Sequence, residues 1–285
     1  MAIILDIGNM LSECIGEQGL NRSRLDELVS IIDGYNGRLA TNPYPFMRLP
    51  QQKFQFSQMS ELAAAVCEKG IKNVVLLGIG GSALGTQTIF EALLHPFHNH
   101  DASTRNGKPR YFVVDNIDPD KINAIIDIIK PELSQTLLLV ISKSGETPET
   151  ISQFMIFKEL MRDTPDVGSR IILITDKEKG ILNRIAREEG YATLTVPDGV
   201  GGRFSVLTPV GIFPSLLMDI PVDQIIAGAQ AMLSHALTEK GMQNMASVLA
   251  AVLFGMNNKG KNINVLMPYC ERLSAFADWF RQLEG

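Results

Sequence analysis

The sequence lacks long apolar runs and any excess of basic residues. No apolar run approaches the ~20 residues that a helix needs to span a bilayer, and the opening MAIILDIGNM has no basic region typical of a signal peptide. The net charge is -5, whereas nucleic-acid binders usually present a basic face. We therefore expect a protein that binds neither membranes nor nucleic acids.

Cysteine is scarce as well. The three cysteines, Cys14, Cys67 and Cys270, lie far apart and form no C-x-x-C pair. An odd number of well-separated cysteines favours free thiols in a reducing compartment. The sequence therefore predicts a cytoplasmic protein without disulfides.

Short apolar segments alternate with helical patterns through the middle of the chain. The predicted strands are 73–79, 110–116, 136–142, 170–176 and 191–197, and the helices between them are 83–95, 119–130, 149–162 and 178–189. Apolar strands that alternate with helices are typical of a parallel sheet covered on both faces. The predicted fold class is therefore α/β, a three-layer αβα sandwich around a five-stranded parallel sheet.

The flanking segments predict further elements. Residues 20–33 have helical periodicity, which GYNGR (34–38) is expected to end, and residues 222–239 and 242–258 have the pattern of two long helices. A strand at 262–269 and a helix at 272–283 resemble the start of a second α/β unit. We expect an N-terminal helical extension and connector (1–50), a first α/β domain (51–221), and linking helices with that truncated second unit (222–285).

A glycine-rich motif, GIGGSALG (78–85), follows the first predicted strand. Glycines allow the backbone to approach a ligand and leave amides free for an anion. The motif also satisfies the dinucleotide fingerprint G-x-G-x-x-A, which expects an acid about 20 residues later. The available acid, Asp115, lies 37 residues after Gly78. A tight turn without a ligand is the structural alternative.

A hydroxyl-rich motif, SKSGETPET (142–150), follows the third predicted strand. Hydroxyls and free amides at a helix N-terminus form a cradle for an anion. The alternative is a capping box, with Thr147 or Ser144 as the N-cap and Glu149 or Glu146 in the first turn. A cap needs one hydroxyl and this loop offers several, which favours phosphate binding.

Two other polar segments offer chemistry. DGVGGRFSVLTPVG (198–211) places Arg203 after a glycine turn, where it could stabilise a negative oxygen or satisfy carbonyl groups inside a buried turn. His95, His98 and His100 lie close together in HPFHNH. With no matching carboxylate, they indicate a solvated loop rather than a metal site.

Four segments in this order closely resemble the glucose-6-phosphate isomerase (phosphoglucose isomerase) family. They are GIGGSALG, SKSGETPET, DGVGGRFSVLTPVG and MPYCERLSAFADWFRQL (267–283), and the resemblance covers residues 40–283. The resemblance implies a homodimer whose chains each have two sugar-isomerase (SIS) domains with a flavodoxin-like fold. It implies interconversion of glucose 6-phosphate and fructose 6-phosphate through an enediolate, in glycolysis and gluconeogenesis, without a metal or an organic cofactor.

The resemblance also implies roles for individual residues. Gly81 and Ser82 would contact the sugar phosphate, Arg203 would stabilise the enediolate, and Gln282 would lie near the substrate. The residues implied to bind the phosphate group are Ser142, Lys143, Ser144, Gly145, Glu146 and Thr147.

The implied catalytic base is not among the residues of this sequence. In the family it is a glutamate four residues after the glutamine, which corresponds to position 286, whereas the sequence ends at Gly285 and Glu284 lies two residues short. The ring-opening histidine, the late lysine and most of a second SIS domain are also absent. We therefore expect the substrate-binding part of an isomerase, with little activity alone. The alternative hypotheses are a non-catalytic SIS regulator that binds sugar phosphates and a dinucleotide-binding oxidoreductase.

Overall fold

A five-stranded parallel sheet organises the computed structural model, which describes residues 3–52 and 55–285. The strands are β1 (Asn73–Leu77), β2 (Arg110–Val114), β3 (Thr136–Ser142), β4 (Ile171–Thr175) and β5 (Ala192–Thr195). Their order across the sheet is β2-β1-β3-β4-β5, and every neighbouring pair is parallel. This is the flavodoxin-like order, so the predicted fold class is confirmed.

Helices connect the strands and extend the chain on both sides. In the described residues they are α1 (Ser12–Ile15), α2 (Arg22–Thr41), α3 (Pro45–Arg48), α4 (Phe56–Cys67), α5 (Leu84–Leu93), α6 (Ala102–Arg105), α7 (Pro119–Ile129), α8 (Pro148–Met161), α9 (Ile181–Glu189), α10 (Pro209–Leu217), α11 (Val222–Thr238), α12 (Met245–Asn257) and α13 (Ser274–Glu284). None of these helices combines the length and the apolar character that crossing a membrane requires.

The apolar sequence of the central strands explains their burial. Every residue of β1, β3 and β4 is buried, and α7 and α8 cover one face with Ile125, Ile129, Phe154 and Phe157. A strand buried on both faces needs apolar side chains at successive positions. The polar residues that follow such strands therefore mark the point where the chain leaves the core.

The described chain forms two compact units. The larger one contains the sheet and comprises residues 52–224 and 267–285, and the other comprises the described residues up to 51 together with residues 225–266. In the second unit, α2 packs against α12 through a cluster that includes Leu25, Leu28 and Val252. The domain boundaries predicted after residues 50 and 221 stay a prediction.

The predicted end of α2 at GYNGR is wrong, because the helix continues through both glycines to Thr41. A glycine inside a helix costs about 1 kcal/mol relative to alanine. Hydrogen bonds to α12 oppose that cost: the Ser247 hydroxyl donates to Asp33 Oδ1 (2.7 Å), and Asn36 Nδ2 donates to the Ser247 hydroxyl (2.8 Å). Tertiary contacts here outweigh local propensity.

The predicted strand at 262–269 is also wrong. The segment has no ladder partner among the described residues, and Ile263 and Tyr269 are 84% and 97% exposed. An extended segment becomes a strand only when a neighbour accepts and donates its backbone hydrogen bonds. Of the predicted start of a second α/β unit, the structure therefore contains the helix, α13, and not the strand.

The histidine segment differs from its prediction as well. His98 is 4% exposed, and its Nε2 lies 2.9 Å from the carbonyl oxygen of Pro109. Burial lowers the pKa of His98. The segment is thus partly a packed element rather than a solvated loop. The described residues contain no group of three or more side chains that could hold a metal ion.

The three cysteines are free thiols, as predicted. Cys14, Cys67 and Cys270 are all exposed, and none forms a disulfide.

Candidate functional site

The three polar motifs follow three strands of the sheet at the same edge. Gly78 comes directly after β1, Lys143 directly after β3, and the arginine turn (residues 201–207) follows β5. Because the strands are parallel, their carboxyl ends share one edge, which is where ligands bind in open α/β sheets. We call residues 78–85 the glycine loop and residues 142–147 the hydroxyl loop.

The glycine loop and the arginine turn form one backbone unit. A Cβ atom on Gly81 would lie 2.2 Å from the carbonyl carbon of Gly202 and 2.5 Å from the amide nitrogen of Arg203. The Ser205 hydroxyl lies 3.2 Å from the Gly81 carbonyl oxygen and 2.7 Å from that of Gly202, and both accept its hydrogen bond. Only a residue without a side chain allows this approach. Two motifs more than 100 residues apart therefore meet directly.

Helix α13 brings two more side chains to the same place. A Cβ atom on Gly80, whose φ is +56°, would lie 2.8 Å from Gln282 Nε2, so the Gln282 amide rests against the glycine loop. The indole Nε1–H of Trp279 donates to the Arg203 carbonyl oxygen at 3.0 Å. The sequence analysis named Gln282 and missed Trp279, although its position three residues before Gln282 puts both on one helical face.

Helix α13 is itself fixed to α5. The Ala275 amide donates to Glu91 Oε2 (3.1 Å), and the Thr88 hydroxyl donates to the Ala275 carbonyl oxygen (3.1 Å). Because α5 begins at the end of the glycine loop, the start of α13 is held by the element that this loop leads into. Gln282 and Trp279 are thereby presented to the glycine loop and the arginine turn.

The hydroxyl loop is closed by its own side chains. Ser142 is buried at the end of β3, and its Oγ lies 2.9 Å from Thr147 Oγ1, with either atom able to donate. The Gly145 amide donates to Ser142 Oγ (3.2 Å), and the Glu146 amide donates to Ser144 Oγ (3.2 Å). Gly145 adopts φ +66°, where a Cβ atom would lie 2.9 Å from Thr175 Oγ1. The loop is thus a compact turn that needs glycine at this position.

The hydroxyl loop leaves the start of α8 without a side-chain cap. Thr147 is the N-cap residue, but its side chain makes no capping hydrogen bond and contacts Ser142 instead. The predicted capping-box alternative is therefore wrong. In the described chain, the first-turn amides of Glu149 and Thr150 have no side-chain cap, and uncapped amides at the positive end of a helix dipole suit an anion.

Two buried hydroxyls reinforce the polar character of this edge. Thr150 Oγ1 and Thr175 Oγ1 have no hydrogen-bond partner in the described structure, although both residues are at most 1% exposed. A buried hydroxyl without a partner costs free energy. Both residues adjoin the hydroxyl loop: Thr150 lies in the first turn of α8, and Thr175 Oγ1 lies 2.9 Å from where a Cβ atom on Gly145 would be.

Charged groups at this edge differ in their surroundings. The pKa of Asp176, which follows β4, is lowered chiefly because the Glu178 and Lys179 amides donate to its carboxylate, and the positive charge of Lys143 adds to the effect. Arg203 is exposed, which contradicts the alternative that it satisfies carbonyls inside a buried turn. Asp115, the acid considered for a dinucleotide ribose, is paired with Lys121 at 2.7 Å.

Fold and site together define a doubly wound α/β protein. Its glycine loop, hydroxyl loop and arginine turn lie at the carboxyl ends of the strands, where open α/β sheets bind ligands. The Phosphoglucose isomerase family model matches residues 50–285. The chain is 35% identical to glucose-6-phosphate isomerase from Carboxydothermus hydrogenoformans, covering 100% of this chain and 62% of that protein. It is 38% identical to the enzyme of the same name from Rubrobacter xylanophilus, covering 99% and 64%.

Solved structures agree with these relatives. A hypothetical protein from Thermus thermophilus superposes with a TM-score of 0.77 at 27% identity, over 92% of this chain and 60% of that one. A glucose-6-phosphate isomerase from Chlamydia trachomatis superposes with a TM-score of 0.65 at 26% identity, over 79% and 43%. The chain belongs to the phosphoglucose isomerase family. It spans less than two thirds of the length of these relatives.

Proposed function

We propose that this chain forms the sugar-phosphate-binding part of a glucose-6-phosphate isomerase. The observation that carries the proposal is the meeting of the glycine loop, the arginine turn and Gln282 at the edge that also holds the uncapped start of α8. One part of this edge suits a phosphate group, and the other presents an arginine and an amide to the rest of a sugar.

The hydroxyl loop holds the phosphate in this proposal. Ser142, Ser144 and Thr147 supply hydroxyls, the first-turn amides of α8 supply N–H donors, and Lys143 supplies a positive charge. A phosphate fixed away from the reacting carbons holds the sugar in register, so its binding energy positions C1 and C2. Gly145 and Glu146 contribute the backbone of the loop.

The arginine turn serves the reacting end. Moving a proton between C1 and C2 produces an enediolate, whose negative oxygen needs a positive or donor group beside it. We assign this role to Arg203 and substrate contacts to Gly81, Ser82 and Gln282. The family resemblance assigns the removal of the proton to a glutamate four residues after Gln282, which is not among the 285 residues of the sequence. We therefore expect this chain to bind substrate with little turnover.

The test is a binding measurement with discriminating ligands. In calorimetric titrations of the chain, fructose 6-phosphate is expected to bind, whereas fructose and NAD are not. Binding of NAD alone would favour the oxidoreductase alternative. An isomerase assay is expected to show turnover only for a longer chain that supplies the glutamate. Sugar-phosphate binding without any turnover in that longer chain would favour the regulator.

The remaining proposals concern the longer protein. We propose that it acts as a cytoplasmic homodimer and needs no bound cofactor. For this chain itself, the net charge of -5 supports the expectation that neither nucleic acids nor membranes are partners. Analytical ultracentrifugation of the longer protein tests the dimer.

A further inference from the structure

A polar depression lies at the amino ends of the strands, where β1 and β2 begin, on the side of the sheet away from the glycine and hydroxyl loops. It has a volume of about 330 Å³. We call this depression the basic groove, and it is lined by four cations, Lys72, Arg105, Lys108 and Arg110, and by Glu132. None of them belongs to the glycine loop, the hydroxyl loop or the arginine turn, so the basic groove is a separate feature.

A tight turn places two of the cations. The Lys108 amide donates to the Arg105 carbonyl oxygen (2.9 Å), and the two residues between them, Asn106 and Gly107, have φ values of 52° and 79°. This left-handed pair is typical of a two-residue turn with asparagine and glycine. The turn carries Arg105 and Lys108 at its two ends, and both line the groove.

The sheet places the other two cations. The Arg110 amide donates to the Lys72 carbonyl oxygen at 2.8 Å, which sets these residues side by side at the starts of β2 and β1. Both reach Glu132: Lys72 Nζ lies 3.4 Å from Oε1, and an Arg110 guanidinium nitrogen lies 2.6 Å from Oε2. The Asn73 side chain, chiefly, and Lys72 and Arg110 lower the pKa of Glu132, so this carboxylate is ionised at neutral pH.

The carboxylates at the basic groove do not balance its cations. Lys108 is paired with Asp219 at 2.9 Å. Arg105 has no carboxylate within 4.0 Å in the described chain, and its guanidinium donates to the carbonyl oxygens of His98 and Asn99. The pKa of Asp101 is lowered chiefly by hydrogen bonds from Ser103, and the positive charge of Arg105 adds to the effect, so a third carboxylate lies near these cations. Four cations thus face three carboxylates, which leaves one positive charge in a chain whose net charge is -5.

We propose that the basic groove binds a small anion of the phosphate or diphosphate class. Arginine presents a fork of N–H donors that matches phosphate oxygens, and lysine adds a point charge. The small volume and the acidic character of the whole chain favour a small anion over a polynucleotide. The proposal is independent of the function assigned to the loops at the other edge.

The test is calorimetric titration of the 285-residue chain with inorganic pyrophosphate at low ionic strength. Pyrophosphate is expected to bind at one site in the chain saturated with fructose 6-phosphate, where the hydroxyl loop is already occupied. It is expected to bind at the same site in Ser144→Ala, where the hydroxyl loop is altered. Arg105→Gln and Lys108→Gln should each weaken this binding about tenfold, because each removes a charged donor. The matched control Arg187→Gln, at an exposed position of α9, should leave it unchanged.

Other outcomes would overturn the proposal. One is the absence of pyrophosphate binding both in the chain saturated with fructose 6-phosphate and in Ser144→Ala. Another is loss of binding in Ser144→Ala with no effect of the groove variants, because pyrophosphate would then bind at the hydroxyl loop. If Arg105→Gln impairs folding, Lys72→Gln at a 54% exposed side chain replaces it. Tighter binding of a short oligonucleotide that displaces pyrophosphate would contradict the assignment to a small anion.

Discussion

The hydroxyl of Thr147 stands where a helix cap is expected and bonds to Ser142 instead. At the scale of single residues, this bond determines whether the first-turn amides of α8 are capped by a side chain. A capping hydroxyl would accept a hydrogen bond from a first-turn amide and so occupy it. Here the Thr147 hydroxyl does not do so, and the amides remain available to an anion.

Thr147→Val tests this role. The substitution keeps the shape of the side chain and removes Oγ1, so we expect fructose 6-phosphate to bind about tenfold more weakly while the free energy of unfolding falls by only about 1 kcal/mol. Calorimetry and urea denaturation measure the two effects. Thr193→Val, at an exposed position of β5, is the control and should change neither. Unchanged affinity in Thr147→Val would contradict the assignment.

Gly81 and Gly202 give a matched pair of substitutions on opposite sides of one contact. A Cβ atom on Gly81 would overlap the backbone of Gly202 and Arg203, whereas one on Gly202 meets nothing within 4 Å. We expect Gly81→Ala to lower the free energy of unfolding by about 1–3 kcal/mol or more, as overpacking does. Gly202→Ala should be close to neutral. Equal effects in urea denaturation would show that the two loops do not pack as described.

Sequence patterns predicted most of the chemical groups at this edge and few of their contacts. Ser142, Ser144, Thr147, Arg203 and Gln282 lie in motifs that a reader of the sequence can find. The bond from Trp279 to Arg203 joins residues 76 positions apart, and its existence depends on how α13 packs on α5. Such long-range geometry follows from tertiary packing, which local composition does not encode.

At the scale of elements, α2 shows how packing overrides propensity. Gly34 and Gly37 lie inside the helix, and a Cβ atom on either would meet nothing within 4 Å. We expect Gly34→Ala and Gly37→Ala each to raise the free energy of unfolding by about 0.4–1 kcal/mol, because alanine reduces the freedom of the unfolded chain.

Gly255 in α12 is the control for the α2 prediction. A Cβ atom there would lie 2.9 Å from Leu20 Cδ1 and 3.1 Å from Leu28 Cδ1, so Gly255→Ala should not stabilise the chain. Urea denaturation of the three variants measures these differences. Stabilisation by Gly255→Ala, or none by the α2 variants, would contradict the packing described.

The central strands of the sheet were predictable because β1, β3 and β4 are buried along their whole length, whereas β2 and β5 are buried only in part. Successive apolar residues followed by a polar turn marked all five strands, and the boundaries differ by a few residues. The same logic failed at 262–269, where an apolar pattern has no neighbour to pair with among the residues that the structure describes. A strand is a property of two segments, whereas a helix such as α13 satisfies its own backbone.

At the scale of the whole molecule, stability should depend on pH through His98. Burial lowers the pKa of this histidine below its ordinary 6.5, so the unfolded chain binds more protons than the folded chain in mild acid. The contribution of His98 to the free energy of unfolding is therefore complete above about pH 6.5, the ordinary pKa of histidine. It declines as the pH falls from there through the lower pKa of the folded state.

Urea denaturation across this pH range measures the effect. His98→Gln should be less stable than the wild-type chain at neutral pH and should lose less stability on acidification. His100→Gln, at an exposed position, should retain the wild-type decline. A decline of equal size in the wild-type chain and in His98→Gln would assign the pH dependence to other groups.

The contact between Trp279 and Arg203 also has an optical consequence. The chain contains one tryptophan, and its indole N–H is bonded to the carbonyl oxygen of the arginine turn. Tryptophan emission therefore comes from a ring that touches the turn beside the glycine loop. A ligand that moves this turn would shift the emission wavelength, so the protein carries its own fluorescent reporter and binding can be followed without a label.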